Sequence, residues 1–218
     1  MNKIRHHLTD SLLMSYSAGT LPEGFSLVVA THVSMCDDCR ARMTEFDAVG
    51  GELMMQSGDA DLSDDSLAAT LALIAAGDSS DLGATKTKPR AKGVFPTPLQ
   101  DYVGGDAGAV KWRRVGGGVR QMILKTGKGS SVRLLYIPGG AAVPDHGHRG
   151  TELTLVLQGA FKDDTDRFDV GDIEIATEDL EHTPVAEEGQ ACICLAATDA
   201  PLRFNSLVPR IAQPFLRI

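Results

Sequence analysis

Apolar positions fall at helical spacing in the first third of the chain and in short, closely bounded runs beyond residue 98. Leu8, Leu12, Leu13 and Tyr16 predict a first helix, ended by Ala18-Gly19-Thr20. Pro22 and Glu23 suit the start of a second, in which Phe25, Leu27, Val28, Val29 and Val33 lead towards His32 and Cys36. After Cys39, the spacing of Met43, Phe46, Val49, Leu53 and Met54 predicts a third helix, weakened by Gly50-Gly51 and ended near Ser57-Gly58. A fourth, short helix has Ser63 as its cap, Asp64 and Asp65 at the positive end of its dipole, Leu67, Leu71 and Ile74 on one face, and Gly77 as its stop.

From Asp78 to Pro98 the chain is rich in Ser, Lys, Thr, Gly and Pro and holds almost nothing apolar before Val94 and Phe95, the composition of a linker. Beyond it, Val119 to Leu124, Val132 to Ile137, Leu153 to Leu157, Ile173 to Ile175 and Ala191 to Ala196 are separated by Gly, Pro and Asp. Many short strands between frequent turns predict a β-sandwich or small barrel. The expectation is an α+β chain of two domains: a helical unit over residues 1–77, a linker over 78–98, and a β-domain over 99–218.

Charge sharpens this division. Residues 1–77 carry 4 Lys and Arg against 11 Asp and Glu, within a chain whose net charge is −8. Such an acidic unit argues against direct nucleic-acid binding, which needs Lys and Arg to neutralise phosphate, and suits a basic protein partner. No apolar run approaches the roughly 18 residues of a membrane span, and the N-terminus has no apolar core of signal-peptide length. A cytoplasmic protein with reduced thiols is therefore expected.

Candidate chemistry lies in two places. In a strand, residues two apart share a side, so His146 and His148 face one way and Glu152 joins them as the next strand begins; one metal ion could collect all three. Imidazoles with a carboxylate would suit Zn, Fe, Mn or Ni, and the donor set does not choose among them. In the N-terminal unit, His32-x3-Cys36-x2-Cys39 places an imidazole and two thiolates where one helix turns into the next. His6, from the start of the first helix, would complete a closed tetrahedral zinc site, with His7 as the competing ligand. Cys192 and Cys194 share one side of a strand and read either as small core residues or as an oxidant-sensing thiol pair.

The segment from Gly140 to Gly159 resembles the first cupin motif, G-x5-H-x-H-x3-E-x6-G, at every specified position. That resemblance implies a cupin barrel, or double-stranded β-helix, for the β-domain, zinc as the metal, and His182, after the Gly171-Asp172 turn, as a fourth ligand. The proline and asparagine that usually accompany the second cupin motif are missing. Together with the His/Cys pattern, the linker, Gly118-Val-Arg-Gln and Ala197-Thr-Asp-Ala-Pro-Leu-Arg-Phe-Asn205, the whole chain resembles the ChrR-type zinc-binding anti-sigma factors. The resemblance implies a non-catalytic inhibitor that forms a 1:1 complex with an extracytoplasmic-function-type sigma factor through its zinc domain. It further implies a cupin domain needed for release in response to singlet oxygen or organic peroxide. The alternatives are a metal-dependent cupin dioxygenase or isomerase, and a DNA-binding zinc finger, against which both ligand spacing and charge argue.

Overall fold

Thr9, extended and placed just ahead of an apolar run, accepts a hydrogen bond from the Leu12 N–H at 3.3 Å and starts helix α1 (Asp10–Ser17). This is seen in a computed structural model that describes residues 3–77, 93–204 and 213. Ala18 and Gly19, the latter at φ 66°, stop the helix. Pro22 then leads into α2 (Glu23–Met35), and Cys36 separates it from α3 (Asp37–Met55), which runs straight through Gly50-Gly51. The fourth helix, α4, spans Ser66–Ala76. Most of the expected linker, residues 78–92, lies outside the described residues.

Helix α2 is apolar almost all round, the pattern of a helix covered on every side. Phe25, Leu27, Val28, Val29 and Val33 are all buried, and full burial of each contributes about 1.5–3 kcal/mol. One flank of the helix meets α1 and α3; the other lies on the β-domain. Its approach to the sheet is close enough that a methyl group at Gly24 would run into Ser130 and Val132. Arg42 of α3 closes the helical cluster, its guanidinium donating to the Leu8 carbonyl and the Asp10 carboxylate at 3.0 Å each.

The chain re-enters the described structure at Gly93. Asp106 accepts the N–H groups of Val94 and Phe95, which fixes the approach to α5 (Thr97–Val103) and buries Phe95. The strands follow: β1 (Arg113–Gly116), β2 (Val119–Leu124), β3 (Ser131–Ile137), β4 (His146–Gly147), β5 (Glu152–Gln158), β6 (Ala160–Lys162), β7 (Arg167–Asp169), β8 (Ile173–Ala176), β9 (Glu181–His182), β10 (Val185–Ala186), β11 (Cys192–Thr198) and β12 (Arg203–Phe204). They form an antiparallel six-stranded sheet in the order β1-β2-β3-β11-β5-β8, with two three-stranded sheets, β10-β6-β7 and β12-β4-β9, completing the cupin-like domain.

Strand β11 shows why the helices and the barrel cannot be separated into two cores. All seven of its residues are buried, because both faces of the large sheet are covered. Ile193, Leu195 and Ala197 join Val132, Leu134, Leu153 and Leu155 in the cluster that also holds Leu13, Phe25 and Val29 of the helices. Cys192 and Cys194 alternate with them and pack instead with Ile137, Val156, Phe161 and Phe168 inside the barrel. The first three helices are thus the outer layer of the sheet.

Helix α4 and the end of α3 are different. No residue of α4 is buried, although its sequence is almost wholly apolar. Leu71 is 55% exposed, Ile74 69%, and Leu53 and Met54 on α3 are 62% and 77% exposed.

Candidate metal centres and relatives

The N-terminal centre forms where α2 hands over to α3. His32 lies in the last turn of α2, Cys36 caps α3 and Cys39 lies in its first turn, so one helix junction aims three donors at one point. Cys36 Sγ accepts the Cys39 N–H at 3.4 Å, at the N-terminal end of α3. The fourth donor is His7, which corrects the expectation of His6. His7 Nδ1 lies 3.3 Å from Cys36 Sγ and 3.7 Å from Cys39 Sγ, and His32 Nε2 lies 3.3 Å from Cys39 Sγ. The four donor atoms all fall within 4.8 Å of one another.

Neighbouring side chains of an extended segment point to opposite sides, so only one of two adjacent histidines can enter the cluster. His6 turns to the barrel: Nε2 lies 3.0 Å from Asp166, Nδ1 lies 3.4 Å from Asp172, and its ring stands 4.4 Å from that of Phe168. Asp172 also takes the backbone N–H groups of Arg5 at 2.6 Å and His6 at 3.0 Å, while the His6 carbonyl accepts from Ile173. Residues 5 and 6 therefore lash the metal-facing His7 to the turn before β8.

The donor chemistry fits a tetrahedral metal. Burial pushes the His32 imidazole down to about 4, which leaves it neutral, and pushes the Cys39 thiol up to about 11. A cation is what would turn such buried thiols into thiolates, and the His2Cys2 set is that of structural zinc.

The second centre is made by strand pairing rather than by local spacing. His146 on β4 is the direct register partner of His182 on β9, and their Nε2 atoms stand 3.3 Å apart. His148 completes a buried trio whose donor atoms lie within 4.8 Å of one another. Glu152 at the head of β5 meets His148, Oε2 to Nδ1, at 3.2 Å. Burial holds the His146 imidazole below its ordinary value, and its Nδ1–H donates to the Pro144 carbonyl at 2.8 Å, which leaves Nε2 with the lone pair for a metal. Burial alone would raise the Glu152 carboxyl, but His148, His146 and Arg133 outweigh it and keep the carboxylate charged. His148 Nε2 is buried with neither a hydrogen bond nor an ion-pair partner, the condition that a bound cation relieves.

This centre opens on a cavity of about 310 Å³, in which His146, Glu152 and His182 face an otherwise mainly apolar wall that includes Leu135, Ile137, Phe161 and Phe204. Cys194 lines it too, with its Sγ 3.4 Å from that of Cys192. The neighbouring Cys192 thiol and burial push Cys194 well above the usual thiol range, so it rests protonated. Sequence reasoning missed two carboxylates here: Asp163 and Glu174 lie 2.8 Å and 3.1 Å from His182 Nδ1. They come from β8 and the turn after β6, and no spacing motif joins them to the histidine.

Fold and sites together define a cupin-like barrel whose back carries a helical His/Cys module. Residues 100–200 match the family described as the ChrR cupin-like domain. The anti-sigma-E factor ChrR of Cereibacter sphaeroides is 61% identical over 99% of this chain and 99% of its own length. The crystal structure of Rhodobacter sphaeroides SigE in complex with the anti-sigma ChrR contains a chain that aligns with a TM-score of 0.78 at 60% identity, covering 90% of this chain and 100% of that one. An RmlC-like cupin protein from Ralstonia eutropha aligns with a TM-score of 0.41 at 23% identity, over 46% of this chain and 70% of its own. The chain belongs to the ChrR family.

Proposed function

We propose that this chain is an anti-sigma factor, which holds an extracytoplasmic-function-type sigma factor inactive in a 1:1 complex in the cytoplasm. The observation that carries the reading is the uncovered apolar surface of α4 and the second half of α3, joined to full-length similarity with a protein solved in complex with SigE. Contiguous exposed apolar side chains on helices mark a protein interface, and an amphipathic helix is suited to a partner's groove. Among the described residues no helix is long and apolar enough to cross a membrane.

The two centres take different parts. Zinc held by His7, His32, Cys36 and Cys39 would fix the angle between α2 and α3 and so aim the projecting end of α3 at the sigma factor. Zinc or another divalent transition metal held by His146, His148, Glu152 and His182 would supply a Lewis-acidic centre at the wall of the cavity. Oxidants, singlet oxygen or organic peroxide, act there, with Cys192 and Cys194 within the same barrel interior. The change reaches the sigma-binding helices through β11 and β5, which pack directly on α2. The regulator reading is preferred to a cupin oxygenase or isomerase because the relative matched from end to end is a named anti-sigma factor.

Purified chain added to its cognate sigma factor and core polymerase should abolish transcription from that factor's promoters. Undiminished transcription at saturating chain would exclude the proposal.

A further inference from the structure

We infer that Asp163 and Glu174 are positioning residues of the cupin metal centre: Asp163 holds the His182 ring by its Nδ1–H, Glu174 sets a second carboxylate beside that edge without a hydrogen bond of its own, and together they aim Nε2 at the metal. The inference rests on the reading of His146, His148, Glu152 and His182 as metal ligands. His182 Nε2 stands 3.3 Å from His146 Nε2. With the His146 proton on Nδ1 at the Pro144 carbonyl, its Nε2 turns a lone pair to His182 Nε2, a contact that a shared metal ion or a proton on His182 Nε2 would satisfy. The other edge of His182 determines whether its Nε2 carries a lone pair or that proton.

That edge is built for the purpose. The Asp163 side chain is buried although the residue as a whole is half-buried, and its Oδ1 accepts from Thr165 N at 2.8 Å, Thr165 Oγ1 at 2.6 Å and Asp166 N at 3.1 Å. Those three bonds lock the carboxylate so that Oδ2 faces His182 Nδ1 at 2.8 Å. Glu174 reaches the same nitrogen from β8, Oε1 at 3.1 Å, with its side chain 6% exposed. Two carboxylates on one ring nitrogen demand a proton there, which leaves Nε2 as the donor to metal and makes it more basic. The usual second cupin motif places a proline before this histidine and an asparagine after it. Here the ring is instead held from two other strand connections.

Asp163, Glu174 and His182 are themselves close enough to be ligands of an ion of their own. The three bonds that already occupy Asp163 Oδ1, and the sharing of His182 with His146 and His148, favour positioning over a second metal.

The full-length chain, stripped of metal and titrated with cobalt(II) against a chelator, tests this. The thiolate-bound site carries a sulfur-to-cobalt charge-transfer band in the near ultraviolet, so visible bands that grow without any rise in that band report the nitrogen- and oxygen-bound site. Asp163→Asn and Glu174→Gln should weaken cobalt at the cupin site by about 10- to 100-fold and shift its visible bands, leave the thiolate site unchanged, and show partial recovery in Asp163→Glu. Wild-type affinity and spectrum in both variants would overturn the inference. So would a third cobalt equivalent in the wild-type chain that the variants lose, which would make the carboxylates ligands. A wild-type chain that binds cobalt at the thiolates alone would overturn the cupin metal reading itself, and this inference with it. Should a variant fail to fold, nitrogen-15 correlation spectra of the zinc-loaded wild-type chain decide: a proton on Nδ1 of His182 supports positioning, and a bare Nδ1 excludes it.

Discussion

The N-terminal centre sets two thiols beside its imidazoles and the cupin centre a carboxylate, and the two are built in opposite ways. Three of the four N-terminal donors come from one helix junction, and the cluster is sealed between helices; only His7 arrives from elsewhere. The cupin centre draws on β4, β5 and β9 and opens on a cavity of about 310 Å³. A sealed set of four ligands can fix geometry but offers no position to an incoming molecule, whereas a set at the wall of a cavity can meet one. The difference teaches that one metal would shape the binding surface and the other would report on the surroundings.

The largest effect that could break this contrast is loss of the sealed site. Cys36→Ala and Cys39→Ala should abolish sigma inhibition and release one metal equivalent, because structural zinc contributes on the order of 10 kcal/mol to folding a small module. Within the same experiment, His7→Ala should release that metal and His6→Ala should retain it; the reverse pattern, measured by zinc content after gel filtration, would return His6 to the cluster. Next in size, His146→Ala should inhibit transcription as the wild type does yet show no relief under singlet oxygen. Inhibition lost in this variant would mean that the two centres do not divide the work.

On the projecting surface, Leu53→Asp and Leu71→Asp should weaken sigma binding by at least about tenfold, or 1.4 kcal/mol. Both positions are exposed, so thermal stability should stay within about 0.5 kcal/mol of the wild type. The last effect, read in stability and not in inhibition, concerns the strap between the centres. Asp172→Ala removes the acceptor for the Arg5 and His6 N–H groups and should cost about 1.5–3 kcal/mol, read as a lower melting temperature. Burial alone would raise the Asp172 carboxyl, but the N–H groups of His6, Asp169 and Arg5 outweigh it and hold it below its ordinary value. Its stabilisation is therefore complete above the unfolded value near about 4 and is lost as pH falls through the folded one, so wild type and variant should converge in acid. A gap that persists unchanged below that pH would exclude the charged strap.

Much of this was legible in the chain. The apolar runs at Val119 to Leu124, Val132 to Ile137 and Leu153 to Leu157 became β2, β3 and β5, since alternation and turn residues are local properties. His146, His148 and Glu152 could be grouped because strand parity alone puts them on one side. His6 and His7 could not be told apart, because adjacency decides only that they diverge. Helix α5 was missed, since Val94 and Phe95 were read as the end of a linker although Phe95 is buried with Leu99 in the shared core. Asp163 and Glu174 were invisible for a similar reason: ring and carboxylates meet only after separate strands pair.

By itself the sequence determined the first four helices, the strands β2, β3, β5, β8 and β11, the two sets of ligand types and the apolar faces of α3 and α4, because periodicity, capping and strand parity act over a few residues. Tertiary structure alone decided that α2 covers the back of the barrel, that His7 rather than His6 completes the thiol cluster, that His146 faces His182, and that α4 stays bare. Those outcomes depend on which surfaces meet across many residues of chain, and burial and strand register settle them only when the whole molecule is assembled.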